Sequence, residues 1–392
     1  MKRRDVLKLG MVGLAAVSFK SIGCSGGSYY VGQDISLNIT EALFEMVDRK
    51  PVYMWAFQDP NQPDPMKAGP RVPGPVISVI EEEDIDLTIT NTLDENHGFR
   101  IPSAPGRPDV VDFGTLAPGE TKTIYFRAPS AGTYMYFDPL NSPVNRVLGL
   151  HGVMVVMPNN PLNRVPYSHP TANVQALFDD LGTTAEFPGH AWEPSRSRIW
   201  NLHSIDPRWN AKAQAGTPID SGQFQNGFLP RYFTINGKSG FFSSHDMDTA
   251  LEGHVGEPML VRIVNSGMAT HSTHLHANHF FVLAVNSIVQ GNVFMVDTYP
   301  VRPLDRVDWM VPFERPPDIP VHPNNPGQFL RIDAAQELAL SFGGVRQSPL
   351  DYPMHCHMEM SQTAAGGNYP LGMVTHFTFT GDVDGVPFPH QG

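Results

Sequence analysis

Five histidines and one cysteine stand in two short segments, His271-Ser272-Thr273-His274-Leu275-His276 and Tyr352-Pro353-Met354-His355-Cys356-His357. Neutral imidazole ligates copper and zinc, and a thiolate adds a soft donor that favours copper. In an extended chain, successive side chains point to opposite faces. His355 and His357 then face one way and Cys356 the other. His274 and His276 share a face, while His271, three residues earlier, falls on the opposite one. Parity therefore sorts the ligand candidates into two sets. His271 with Cys356 suits an electron-transfer copper. His274, His276, His355 and His357 form an all-imidazole cluster suited to a second copper, where substrate or oxygen binds. Adjacent backbone joins the two sets by a short path.

The chain has two cysteines, Cys24 and Cys356. Residues 1–29 read as an export signal and short tether: Arg3-Arg4, an apolar run over residues 9–17, then Ser21-Ile22-Gly23-Cys24. That run is too short to span a bilayer, and the arginine pair is that of a twin-arginine signal, which exports folded, cofactor-loaded proteins. Gly23-Cys24 also fits a lipoprotein cleavage site, which predicts a periplasmic or cell-surface location and a lipid anchor through Cys24. Cys356 is then the sole cysteine of the remaining fold, and its flanking histidines give it a ligand's role. Cleavage before Cys24 removes five basic residues and one acidic residue, leaving 22 against 38 and a net charge of −16. Such a surface argues against nucleic acid and is compatible with metal cations or a basic redox partner.

The elements that must position these residues read as strands. Ile85, Leu87 and Ile89 alternate with polar neighbours, as do Ile124 and Phe126, and Met259, Val261 and Ile263 share one parity. The 35 glycines and 37 prolines supply turns, among them Asn236-Gly237, a hairpin signal. Residues 171–181 are the one clear short-helix candidate, and His203 with Asp206 read as a strand end and turn. The chain also repeats itself. Residues 83–91 (EDIDLTITN) lie on 257–265 (EPMLVRIVN) at a shift of 174, which sets His97 on His271, and residues 134–139 (YMYFDP) lie on 352–357 (YPMHCH). The expected architecture is all-β, with two Greek-key β-sandwich domains at residues 30–165 and 195–385 and a connection at 166–194.

The two ligand segments resemble the C-terminal copper motifs of multicopper oxidases, H-P-x-H-x-H and H-C-H-x3-H-x3-G-[ML]. Residues 72–91 and 132–136 look like that family's first cupredoxin domain, and the two-domain length is similar to two-domain laccases and copper nitrite reductases. The resemblance covers most of residues 35–380. It implies copper as cofactor, with His271 and Cys356 at type 1 positions and His274, His276, His355 and His357 as half of a trinuclear cluster. It implies Met373 as the axial ligand, and by analogy a homotrimer.

The departures from that family are specific. Its first domain supplies four further cluster histidines, where this chain has Phe137-Asp138-Pro139 and, after His97, Arg100 and Pro102. His97 falls at a type 1-like position. Five residues after Cys356 the family's histidine is replaced by Ser361, with Met358, Met360 and His376 as candidate substitutes. Met373 follows Cys356 by seventeen residues rather than ten, behind an insertion at 362–370. His97, His151 and His279 each read as structural or surface residues. Three functions fit: an exported copper-dependent oxidoreductase taking electrons from a small molecule, metal ion or redox protein; a non-catalytic electron-transfer or copper-storage protein; and a copper-free scaffold.

Overall fold

The structure, a computed structural model, describes residues 34–159, 164–315 and 351–383; the export signal and Cys24 lie outside them. The first half runs β1 (Asp34–Glu45), β2 (Pro51–Gln58), β3 (Ile77–Ile80), β4 (Asp84–Asn91), β5 (His97–Ile101), β6 (Val111–Leu116), β7 (Thr121–Arg127), β8 (Gly132–Phe137), α1 (Val144–Val147) and β9 (His151–Met157). A sheet in the order β2-β1-β4-β7 packs on a second, β3-β9-β8-β5-β6. The alternation that marked β4 is real, since Ile85, Leu87 and Ile89 are buried in the shared core while Asp84 and Asp86 face water.

After α2 (Ala172–Asp180), the second half runs β10 (Ser197–Ile205), α3 (Pro207–Gln214), α4 (Ser221–Gly227), β11 (Tyr232–Ile235), α5 (Phe241–Ser244), β12 (Leu251–His254), β13 (Met259–Asn265), β14 (His271–Leu275), β15 (Phe280–Val285) and β16 (Ile288–Val296). It ends on β17 (Thr298–Val301), β18 (Arg306–Val311), β19 (Asp351–Cys356) and β20 (Val374–Gly381). Its sheets, β11-β10-β13-β18-β15-β16 and β12-β20-β19-β14-β17, repeat the first half strand for strand, with the β15-β16 hairpin added at an edge. The parallel pairs recur as well: β1 with β4 matches β10 with β13, and β3 with β9 matches β12 with β20. Both aligned sequence pairs fall on corresponding strands. The molecule is all-β, a duplicated cupredoxin-like sandwich.

Helix α2 starts where expected, capped by the Thr171 hydroxyl on the Val174 amide. Residues 171–181 are not the only helix, however. Asp206 is an N-cap rather than a plain turn residue, followed by Pro207 at the first position of α3, and Asp220 caps α4. Both helices are a turn or two long, with too few apolar residues for a periodic signal, so their caps were the only legible mark.

The halves meet through a dry patch, in which Met135, Phe137, Val153 and Val155 of the first sandwich pack on Ile199 and Val264 of the second. Beside it the buried Asp308 accepts from Thr133 at 2.5 Å and Tyr167 at 2.8 Å, and pairs with Arg262 at 3.2 Å.

Candidate metal centre

The adjacent strands β14 and β19 carry the ligand candidates in register: Thr273 opposite Cys356, His274 opposite His355, Leu275 opposite Met354. His271, Thr273, Leu275, Met354 and Cys356 point into the core and are fully buried, while His274, His276 and His355 lie on the other face. The two sets inferred from parity are thus the two faces of one pair of strands.

On the core face the Cys356 sulfur lies 3.5 Å from His271 Nδ1 and receives the Met358 amide at 3.4 Å. An N–S separation of this size is about the edge of a tetrahedron built on metal bonds of ~2.0 Å to nitrogen and ~2.3 Å to sulfur. Burial holds His271 at a pKa of about 4, so its imidazole is neutral and able to ligate. Burial also raises the Cys356 thiol above its ordinary value, against opposing hydrogen bonds from Ser361 and the amides of Met358 and Ser272. An ion bound here must displace the thiol proton. Met373 is buried in the same core cluster as Cys356, and its amide donates to the Ser361 carbonyl at 2.7 Å, so the insertion folds back and returns Met373 to the core.

Among the described residues the second imidazole of the family pattern is missing. Ser361 is fully buried, donating to the Met358 carbonyl at 2.7 Å. Met360 is exposed, and His376 alternates with the core-facing Thr375 and Phe377, which turns it to the outer face of the sheet. Neither substitutes for the lost histidine at the thiol. Met358 packs against the core cluster and gives the sulfur its backbone amide. The core-face set fits copper with one imidazole fewer than the family pattern.

On the outer face His274, His276 and His355 bring one nitrogen each to within 4.8 Å of one another, with His276 Nε2 and His355 Nε2 3.0 Å apart. The His357 ring lies 4.3 Å from that of His274. His274 Nδ1 lies 3.0 Å from the Asp297 carbonyl and 2.8 Å from the Thr298 hydroxyl, and with its proton on Nδ1, toward the carbonyl, the Nε2 lone pair is left for a ligand. Desolvation, then neighbouring imidazoles, holds His355 below its ordinary pKa, and desolvation lowers His274 too. Imidazoles converging at this spacing are a donor set that a metal ion fits.

The first half keeps the frame of this centre and changes its chemistry. Arg100 on β5 pairs with Phe137 on β8, the counterpart of His274 opposite His355. His97, equivalent to His271, is buried with Nδ1 2.7 Å from Asp138 Oδ2, and Asp138 holds the place of Cys356. Leu140 donates its amide to Asp138 Oδ1 at 2.8 Å, as Met358 does to the thiol, and Asn145 donates to Oδ2 at 2.8 Å. A carboxylate, an imidazole and an amide close the space with hydrogen bonds. The alignment of YMYFDP on YPMHCH sets Asp138 on Cys356, so the sequence carries this signal.

Other histidines fall where structural roles predict. His151 is buried against the Arg146 carbonyl at 2.9 Å, and His279 is exposed. Composition gave no warning of the buried Arg146, which reaches across the halves to the carbonyls of Ser266 and Gly267 in the loop before β14.

This duplicated sandwich, with a thiol and imidazoles on opposite faces of paired strands, defines a cupredoxin-type protein. A model of the multicopper oxidase family matches residues 57–161. Among curated proteins, the copper-containing nitrite reductase of Rhizobium meliloti (strain 1021) is 24% identical over 196 residues, 48% of this chain and 47% of that protein. Laccase-7 of Oryza sativa subsp. japonica is 23% identical over 261 residues, 63% of this chain and 40% of its own length. The chain thus spans about half the length of the curated relatives it matches. Among solved structures, the blue copper oxidase of Nitrosomonas europaea superposes with a TM-score of 0.59 at 20% identity, over 88% of this chain and 85% of that one. The copper nitrite reductase of the same organism gives 0.54 at 19% identity, over 89% and 94%. The chain is thus similar to multicopper oxidases and copper nitrite reductases, in sequence over part of its length and in fold over most of it.

Proposed function

We propose that this chain is an exported copper-binding oxidoreductase. His271, Cys356 and Met373 hold an electron-transfer copper, and His274, His276, His355 and His357 hold a second copper that faces the solvent. One observation carries the reading: the thiol–imidazole pair and the imidazole cluster occupy opposite faces of the same two strands. Bound copper supplies one-electron redox chemistry. The chain's own part is to keep His271, His274 and His355 neutral by burial and to bury the thiol away from water. It also links the two faces through the few backbone bonds between Cys356 and its neighbours His355 and His357. An electron donor, whether small molecule, metal ion or redox protein, gives up its electron on the core-face side, and the acceptor sits at the imidazole face.

A complete four-electron oxygen cycle is not part of this proposal, because Arg100 and Phe137 stand where the first half would provide cluster imidazoles. The same residues support a second reading, an electron-transfer or copper-storage protein without turnover. Export through the Arg3-Arg4 signal, a lipid anchor on Cys24 and a trimer with the imidazole face at a subunit boundary complete the proposal. Fractionation with mass spectrometry of the N-terminus tests the first two, and light scattering the third.

Metal analysis with visible and EPR spectra of the Cu(II)-reconstituted protein tests the centre. An intense blue band with narrow copper hyperfine splitting is expected from the Cys356 site. Cys356→Ser should abolish that band, keep copper at the imidazoles and lower electron transfer to the acceptor at least tenfold. Protein that retains no copper overturns the copper readings, and unchanged turnover in Cys356→Ser sinks the proposed link.

A further inference from the structure

His376 faces outward from β20, and a second histidine, His245, is held above it. Helix α5 is tied to the start of β20 by three hydrogen bonds. Ser243 Oγ donates to the Val374 carbonyl at 2.7 Å, Thr375 Oγ1 to the Ser243 carbonyl at 3.2 Å, and the Gly240 amide to the Gly372 carbonyl at 2.8 Å. His245 caps that helix with its ring stacked on Phe241 at 4.0 Å and its Nδ1 3.0 Å from the Phe241 carbonyl. The Nδ1 proton is therefore committed to a carbonyl, and Nε2 carries the lone pair, the same preparation seen at His274. The rings of His245 and His376 lie 5.1 Å apart. Within the His274, His276 and His355 group the ring separations are 4.7, 5.5 and 5.1 Å, so the outlying pair is spaced as ligands of one ion are.

We propose that His245 and His376 form a further divalent-metal site, one that binds Cu(II) most tightly, on the same sheet face as the imidazole cluster. Two imidazoles favour the late first-row cations, with Cu(II) bound most tightly. Asp351 and Glu252 both register opposite Thr378, one step along the outer face from His376, and add negative charge beside the ion. Desolvation keeps the His376 imidazole below its ordinary pKa and so unprotonated at neutral pH. His376 pairs with Pro353, whose carbonyl receives the His276 amide on its other side at 3.1 Å. The new site thus stands two strand spacings, about 10 Å, from the cluster. With two protein ligands and an exposed His245, water completes the coordination, and the ion exchanges with solvent faster than one held by three imidazoles. The pair serves as an outer position from which cations reach the face.

Calorimetric titration of the full metal-free chain with Cu(II), read alongside Cu(II) EPR, tests this site. The wild type should show one equivalent weaker than the others. His245→Ala and His376→Ala should each weaken that equivalent at least tenfold, while His276→Ala and Cys356→Ser leave it in place. Substoichiometric Cu(II) should also broaden the His245 and His376 ring resonances of the unmodified protein, a readout that depends on no variant. Isotherms of His245→Ala and His376→Ala that match wild type, or broadening confined to His274, His276 and His355, overturn the proposal. Because Cys356→Ser retains the site, its failure is distinguishable from failure of the electron-transfer centre.

Discussion

Asn265 and its counterpart Asn91 show how single side chains hold the loops in front of the two sites. Asn265 is fully buried; its amide donates to the carbonyls of Ala269 and Val301, both at 2.8 Å, and its oxygen accepts from the Gly267 amide at 2.9 Å. Asn91 makes the same three bonds to Glu95, Leu116 and Leu93. Removing either side chain strands buried backbone groups, at a cost of about 2–4 kcal/mol. Asn265→Ala and Asn91→Ala should lose similar stability in denaturant titrations. Only Asn265→Ala should also change the copper spectrum, since the loop it holds leads into His271. At this scale the sequence was legible wherever parity decided the question. The faces of His271, Cys356 and the four outer histidines followed from alternation alone. The pairing of His97 with Asp138 followed from no motif; only the two alignments, which set His97 on His271 and Asp138 on Cys356, carry it.

Among elements, the path from Ser361 to Met373 decides whether the long insertion still delivers a sulfur to the core. It closes by backbone contact. A Cβ on Gly372 would meet the Ser361 carbonyl oxygen at 2.1 Å and the Gln362 carbonyl carbon at 2.5 Å. Neither atom belongs to a flexible side chain, so Gly372→Ala must push the loop outward and Met373 with it. The expected cost is about 1–3 kcal/mol, read in thermal or denaturant unfolding, with a shifted visible band in the copper-loaded protein. Strands were legible as elements because their alternation spans several residues, as in β4 and β7, whereas β13, whose alternate residues also share a parity, is buried on both faces. The one- or two-turn helices α3 and α4 were not, since their start is marked by a single capping aspartate. The β15-β16 hairpin is illegible in the sequence for another reason. It has no counterpart in the first half, and its outer strand is largely exposed.

Over the whole molecule, the seam between the sandwiches buries a pair of histidines. The rings of His151 and His203 lie 4.4 Å apart, and His203 Nε2 reaches the Val147 carbonyl at 2.8 Å. Burial lowers His203 to a pKa of about 4 and His151 well below its ordinary value. In the unfolded chain both titrate near 6.5, so between about 6.5 and 4 the unfolded state binds more protons than the folded one. Their contribution is fully present above pH 6.5 and is lost as pH falls toward 4, on the order of 3 kcal/mol for His203 alone. Urea unfolding between pH 7 and 4.5 should show this decline, with a shallower slope in His203→Gln. A seam of equal steepness in that variant would remove His203 from the account. The duplication itself was visible in two short alignments, while the contacts across the seam join residues far apart in sequence and left no local trace.

The closure of the first-half site by His97, Asp138 and Asn145 has a thermodynamic consequence for the protein as an assembly of two halves. A site completed by its own atoms owes nothing to the medium, whereas one completed by a bound ion draws part of its folding free energy from the ion's concentration. Ligand linkage then adds about 1.4 kcal/mol to the copper-binding half for each tenfold rise in free copper above the dissociation constant, and nothing to the other. Chelation should accordingly split a single calorimetric transition into two. The half with His97 keeps its melting temperature, and the half with Cys356 becomes the early, concentration-dependent event.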